Sequence, residues 1–207
     1  MTEILTLDLE GFRPPLTPDI QDRVVRAIEG GGVVVLPNAT FALTEREQRF
    51  LSAAWSDGRA KNVSLDGARL KGARGDAGDL ADLAAMVARF ADSAASLVTT
   101  LFPRYAPYVK RARTSFRPQP AVGRDVSWRK DDSRLHIDAF PSRPNRGERI
   151  LRVFTNVNPQ GEPRVWRIGE PFQDVARRYL PQAKPYSAWQ ARVLRSLRLT
   201  KSLRSEY

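Results

Sequence analysis

The chain has 207 residues, 42% of them hydrophobic, with one histidine and no cysteine, which is enough for one sizeable core or two small ones. The absence of thiols excludes disulfides, thiolate metal sites and cysteine nucleophiles, so any metal must be held by nitrogen and oxygen. The net charge of +11 belongs to the second half: residues 1–100 carry 11 Lys/Arg and 14 Asp/Glu, whereas residues 101–207 carry 23 and 9.

Arginine dominates the basic half, and its planar guanidinium suits bidentate capture of carboxylate or phosphate. Nucleic acid, an anionic membrane face and a small polyanionic substrate all fit such a surface. No stretch approaches the roughly 18 to 20 apolar residues of a membrane span, and "MTEILTLDLEGF" lacks the order of a signal peptide. The expectation is a single cytoplasmic domain.

In chain order, "TPDIQDRVVRAIEGGG" predicts a helix with Thr17 as N-cap, Pro18 at its first position, Ile20, Val24 and Ile28 on one face, and glycines ending it. "VVVLP" predicts a short buried strand. "TERE" predicts a second helix from Thr44, with Glu47 placed for a capping box and Phe50, Leu51 and Ala54 as its apolar side. The polar, glycine-rich "SDGRAKNVSLDGARLKGARGDAG" reads as a long loop. From Asp79 to Phe102, Leu80, Leu83, Val87, Phe90, Ala94, Leu97 and Leu101 keep the spacing of an amphipathic helix that Pro103 stops. Beyond it the pattern shifts to short β-like runs, "YVKRARTSFRP", "RLHIDAF", "RILRVFTNVN" and "PRVWRIG", so the second half is expected to be largely sheet. A final helical stretch starts near Glu170 and reaches the last residue without a stop signal. No internal repeat interrupts this order.

The lone histidine lies in "SRLHIDAF". On a strand, His136 and Asp138 would project from the same face while Ile137 packs on the other, which is the placement two ligands of one metal need. His-x-Asp opens the facial triad of non-haem iron oxygenases. A histidine hydrogen-bonded near a neighbouring carboxylate gives the same tripeptide.

The longer string "SWRKDDSRLHIDAFPSRPNRGERILRVFTNVNPQGEPRVWRIGEPF", with "GRAKNVSLDGARLKG" and "LRLTKSLRSEY", resembles the Kdo hydroxylase family over most of the chain. These are Fe(II)- and 2-oxoglutarate-dependent dioxygenases that hydroxylate C3 of the 3-deoxy-octulosonic acid (Kdo) of the lipopolysaccharide inner core. The resemblance implies an α+β chain in which N-terminal helices (1–103) pack on a double-stranded β-helix, or jelly roll (104–207), with His136 and Asp138 as the first two iron ligands. It also implies a Kdo-lipid A acceptor and peripheral contact with the anionic inner-membrane face, with no nucleic acid as partner. Family members are longer and carry their second histidine late; this chain has none. The expectation is a C-terminally shortened piece that lacks the closing strands, with the third ligand beyond Tyr207 and little activity of its own.

Arg152 falls at an apolar-flanked position, where a charge needs a partner. It reads either as the clamp for a carboxylate of 2-oxoglutarate or Kdo, or as a structural salt bridge. Arg129, Lys130 and Arg134 adjoin the His136 segment and are candidate substrate contacts, with Asp131 and Asp132 balancing them. Lys61 and Asn62 are candidate lid contacts on the sugar, against ordinary loop polarity. Arg111, Arg113 and Arg117 alternate along one face, for a polyanion or for solvent. Trp128 and Trp166 fit a sugar face or a core. Two other functions remain open: a catalytically dead relative that binds acidic glycolipid, and a basic nucleic-acid-binding module, for which no recognition motif is present.

Overall fold

The structure, a computed structural model, describes residues 3–60, 62–118, 135, 136, 138, 145, 147–163, 165–183, 187–199 and 203. The chain divides into two compact units, Met1–Ser133 with Val153–Trp166, and Arg134–Arg152 with Arg167–Tyr207.

The first unit begins with β1 (Ile4–Thr6), α1 (Pro18–Glu29) and β2 (Val33–Val35). Thr17 caps α1 by accepting the Ile20 N–H at 3.4 Å, and Pro18 occupies the first turn, where its missing N–H costs nothing. β1 and β2 pair in parallel, Leu5 opposite Val34. A side chain at Gly32 would lie 2.6 Å from the Glu3 carbonyl, so only glycine lets β2 enter this pairing. β2 is less buried than its composition predicts: with a single partner strand, Val33 and Val35 remain exposed.

α2 (Glu45–Gln48) starts with the capping box read from "TERE". Thr44 Oγ1 accepts the Glu47 N–H at 3.3 Å, and Glu47 Oε2 accepts the Thr44 N–H at 2.8 Å. The Glu47 carboxylate also pairs with Arg89 at 2.5 Å. Burial alone would raise the Glu47 pKa, but the Thr44 and Arg89 hydrogen bonds outweigh it and hold the carboxyl below its ordinary value.

The segment expected to be a loop contains a hairpin. β3 (Val63–Asp66) and β4 (Arg69–Lys71) pair antiparallel, Asp66 opposite Arg69, around a two-residue turn with Gly67 at φ 59°. The turn signal was the Asp-Gly pair, and the strand signal was Val63 and Leu65 two apart, both buried. Glycine density hid both. β5 (Thr114–Phe116) pairs on the other side of β3, giving the order β4-β3-β5.

Between them runs α3 (Ala77–Leu101), capped by the Asp76 carboxylate on the Asp79 N–H at 2.8 Å. Its first half buries Leu83, Met86 and Val87 against Phe50, Val63, Leu65 and Phe116. Its last turns bury Leu97, Val98 and Leu101 against Leu5, Leu7, Val24 and Ala27. Phe90, expected on this apolar face, instead joins an edge-to-face cluster with Phe12 and Phe41.

The predicted sheet of the second half is reduced to β5 among the described residues. The run from Arg149 to Asn158 belongs to no strand among the described residues. It keeps strand parity, with Arg152, Phe154 and Asn156 exposed while Val153 and Val157 pack inward. At Asn158 the chain turns, the Gly161 N–H donating to the Asn158 carbonyl at 3.1 Å, and Phe154 meets Trp166 at 4.4 Å between ring centroids. The second unit carries α4 (Phe172–Tyr179) and α5 (Ala188–Ser196). A stop signal does end α5. Arg198, at φ 57°, donates to the Arg195 carbonyl at 2.9 Å, and Leu199 donates to the Leu194 carbonyl at 2.9 Å. This closing turn usually holds glycine, and no glycine stands here to announce it.

Replacing Leu83 with Ala is expected to cost about 2 to 5 kcal/mol, measured by denaturant unfolding. Glu47→Gln should cost about 1 kcal/mol at neutral pH, since a neutral amide loses the charged half of the cap. A carboxyl held below its ordinary value stabilises fully above the unfolded value near 4.5 and ceases to do so as pH falls through the folded value. Melting curves of the two proteins should therefore converge in acid.

Candidate functional site

His136 and Asp138 lie in the second unit. Their side chains approach each other, His136 Nε2 standing 3.9 Å from Asp138 Oδ1. Most of the run 134–140 is outside the described residues, so the strand expected there is not part of the description. The juxtaposition of the two side chains is. With side-chain exposures of 49% and 37%, both remain open to ions from solution.

The other carboxylate oxygen is occupied. Arg152 Nη2 reaches Asp138 Oδ2 at 2.8 Å, so one guanidinium and one imidazole divide the carboxylate between them. Of the two roles read for Arg152, the salt bridge is the contact present. In a half-exposed setting such a pair adds little stability, of the order of 0 to 1 kcal/mol, so its consequence is chiefly geometric. It ties down Oδ2 and leaves Oδ1 facing the imidazole.

An imidazole nitrogen and a carboxylate oxygen match the donor preference of non-haem iron. Two adjacent ligands of one such ion sit about 3 Å apart at the usual bond lengths of about 2.1 Å. Closing 3.9 Å to that value needs only small side-chain rotations at exposed positions. The pair therefore fits a metal as two of its ligands. Among the described residues, no group of three or more His, Asp or Glu side chains gathers in one place.

The remaining candidates are distributed unevenly. Lys61, Arg129, Lys130 and Arg134 lie outside the described residues, as do Trp128, Asp131 and Asp132. Asn62 belongs to the first unit and enters β3. Its side-chain Oδ1 is buried without a hydrogen-bond partner among the described residues, an arrangement that native structures rarely leave unexplained. The turn before it is shaped by Asp57, whose Oδ1 accepts the N–H groups of Arg59 and Ala60 at 2.9 and 2.8 Å. Those bonds hold the Asp57 carboxyl below its ordinary value. Reading the sequence missed Asp57; the signal was the local "SDG", since Asp in such a turn hydrogen-bonds its own backbone. Arg111 pairs with Asp92 at 2.6 Å, and Trp166 meets Phe154 with its ring tilted by 49° in an exposed position rather than in a core.

The family model of 3-deoxy-D-manno-oct-2-ulosonic acid (Kdo) hydroxylase matches residues 13–207. Among curated protein sequences, none matches the chain. Three solved structures of the Kdo hydroxylase KdoO, a non-haem Fe(II) α-ketoglutarate-dependent dioxygenase, are similar to it. The apo structure is 45% identical with a TM-score of 0.87, covering 96% of this chain and 67% of that one. The complex with α-ketoglutarate and Fe(III) is 45% identical with a TM-score of 0.86, covering 98% and 68%. The cobalt(II) complex is 46% identical with a TM-score of 0.87, over the same shares.

Titration of the 207-residue chain with Mn(II), followed by the electron paramagnetic resonance of the free ion, is expected to show a weak site and no tight one. His136→Ala should abolish it. Sub-micromolar affinity (a Kd below about 1 μM) would reveal a third protein ligand.

Proposed function

The chain belongs to the Kdo hydroxylase family, and on that premise we propose that it hydroxylates C3 of Kdo in a lipopolysaccharide precursor such as Kdo-lipid A, using Fe(II) and 2-oxoglutarate. The observation that carries this reading is the approach of His136 to Asp138 inside the matched segment, with nitrogen and oxygen donors facing each other. The bound metal supplies the oxidation: 2-oxoglutarate and dioxygen become succinate and carbon dioxide, and the second oxygen atom enters the C3–H bond.

The chain's own residues hold and orient. His136 Nε2 and Asp138 Oδ1 are the two donors in the proposal. Arg152 keeps Asp138 turned toward the imidazole, and acting as clamp for the cosubstrate carboxylate would require it to exchange one carboxylate for another. Arg129, Lys130 and Arg134 are proposed to meet the anionic sugar, and Lys61 and Asn62 its hydroxyls. The unsatisfied Asn62 Oδ1 supports the last of these, because a sugar O–H is the donor it lacks.

A double-stranded β-helix is the architecture proposed for the second half. The strand parity kept by the run around Arg152 supports it. The excess of 14 positive charges in residues 101–207 supports a place of action at an anionic membrane face in the cytoplasm. One test decides between this reading and a second, glycolipid binding without turnover.

The test fuses the chain to the remaining third of a KdoO chain and supplies Fe(II), 2-oxoglutarate and Kdo-lipid A. Expected are succinate release and the gain of one oxygen on the Kdo by mass spectrometry, both lost in His136→Ala and in Asp138→Ala. Arg152→Ala should raise the 2-oxoglutarate requirement about tenfold or more, in line with the loss of a support to a ligand. A fusion that binds Kdo-lipid A but forms no succinate decides for the second reading.

A further inference from the structure

In "SAWQARVLRSLRL" Trp189, Val193 and Leu197 recur every four residues, and residues so spaced line one side of a helix. α5 buries only Ala191, so it rests on its unit through a small residue. The stripe faces away, Trp189 being 71% and Leu197 62% exposed, and Leu199, beyond the cap, is 69% exposed. Arg192 borders the stripe, Arg195 lies on the other side of the helix with Ala191, and Arg198 sits at the closing turn in a left-handed conformation that glycine usually takes.

The arginines decide what can cover this face. Arg177 and Arg178 of α4 are neutralised within their own unit, by Asp174 at 2.8 Å and Glu170 at 2.6 Å. The two beside the stripe, Arg192 and Arg198, have no carboxylate partner among the described residues. A protein core placed over the stripe would have to desolvate or pair these cations. The headgroup layer of an anionic bilayer accepts both parts at once, with Trp and Leu at the acyl boundary and guanidinium groups on phosphates.

We propose that α5 and the turn that follows it seat the protein on an anionic lipid surface, Trp189, Val193 and Leu197 entering the boundary and Arg192 and Arg198 meeting lipid phosphates. The proposal deepens the hydroxylase reading, on which its sense as the dock for a lipid-linked acceptor rests. Its test uses no Kdo and no iron, so it succeeds or fails independently of catalysis.

Since the chain has no cysteine, Leu197→Cys accepts a single nitroxide label. The full chain is mixed with vesicles of phosphatidylglycerol and phosphatidylethanolamine at low ionic strength. Expected is a gain of oxygen accessibility at the label on vesicle binding, which phosphatidylcholine vesicles do not produce. In co-sedimentation, Arg192→Gln with Arg198→Gln should weaken binding about thirtyfold, the weight of two basic residues at such a surface. Arg104→Gln with Arg113→Gln, which removes equal charge from the other unit, should change it less than about threefold. All these positions except Leu197 carry exposed polar side chains, so folding is preserved, and circular dichroism checks it. A label that stays in water on bound vesicles, or equal loss from both arginine pairs, overturns the proposal. So does a label that becomes immobilised without lipid as protein concentration rises, which would assign the face to a second copy of the chain.

Discussion

The first unit depends on one constraint: a single helix must satisfy two cores. α3 runs 25 residues, about 37 Å, and meets the β3–β5 sheet near its start and the α1–β1 layer near its end. Neither sheet could stand alone, since one has two strands and the other three, all of them short. The helix provides each with the apolar wall it lacks. Around the middle of α3 the packing passes to aromatic rings and to Arg89, which lies over the Phe41 ring at 4.1 Å and holds Glu47 of the capping box. Position 47 thus links the start of one helix to the flank of another.

The second unit is built differently. No described strand belongs to it, its helices bury little, and its ionic contacts are exposed pairs. Such pairs contribute orientation more than stability. At His136 and Asp138 orientation is what matters: a carboxylate with one oxygen held by Arg152 presents the other in a defined direction. Half-exposed positions keep the proposed metal-binding pair accessible while a neighbouring guanidinium does the positioning.

The legible parts of the sequence were those whose signal is local. The Thr17, Thr44 and Asp76 caps and the long apolar period of α3 each involve residues within a few positions, and each could be read or nearly so. The β3–β4 hairpin was also local but was outweighed by surrounding glycines and charges. The second half shows the opposite limit. Alternation at 150–157 announces a face, and the face exists, yet a strand is a relation to a partner and its alternation cannot say whether the partner is there. His136 and Asp138 were visible because two residues of one face suffice to bring them together. The contact of Arg152 with Asp138 joins segments that no periodicity connects, and only the need of a flanked charge for a counterion pointed to it.

Asn62 has a consequence for discrimination. A lone pair already stripped of water at Oδ1 imposes a test on whatever comes against it. A group with a hydrogen to give gains a bond whose desolvation cost the fold has met in advance. A methyl group, an ether oxygen or an ionised carboxylate gains nothing there and leaves the lone pair stranded, a difference of about 1 to 3 kcal/mol, or from about fivefold to more than a hundredfold in occupancy. With the proposed sugar hydroxyl against it, an acceptor held empty in this way would sort molecules by rejection, separating hydroxylated compounds from their deoxygenated or alkylated analogues more sharply than any apolar fit to their shape could do.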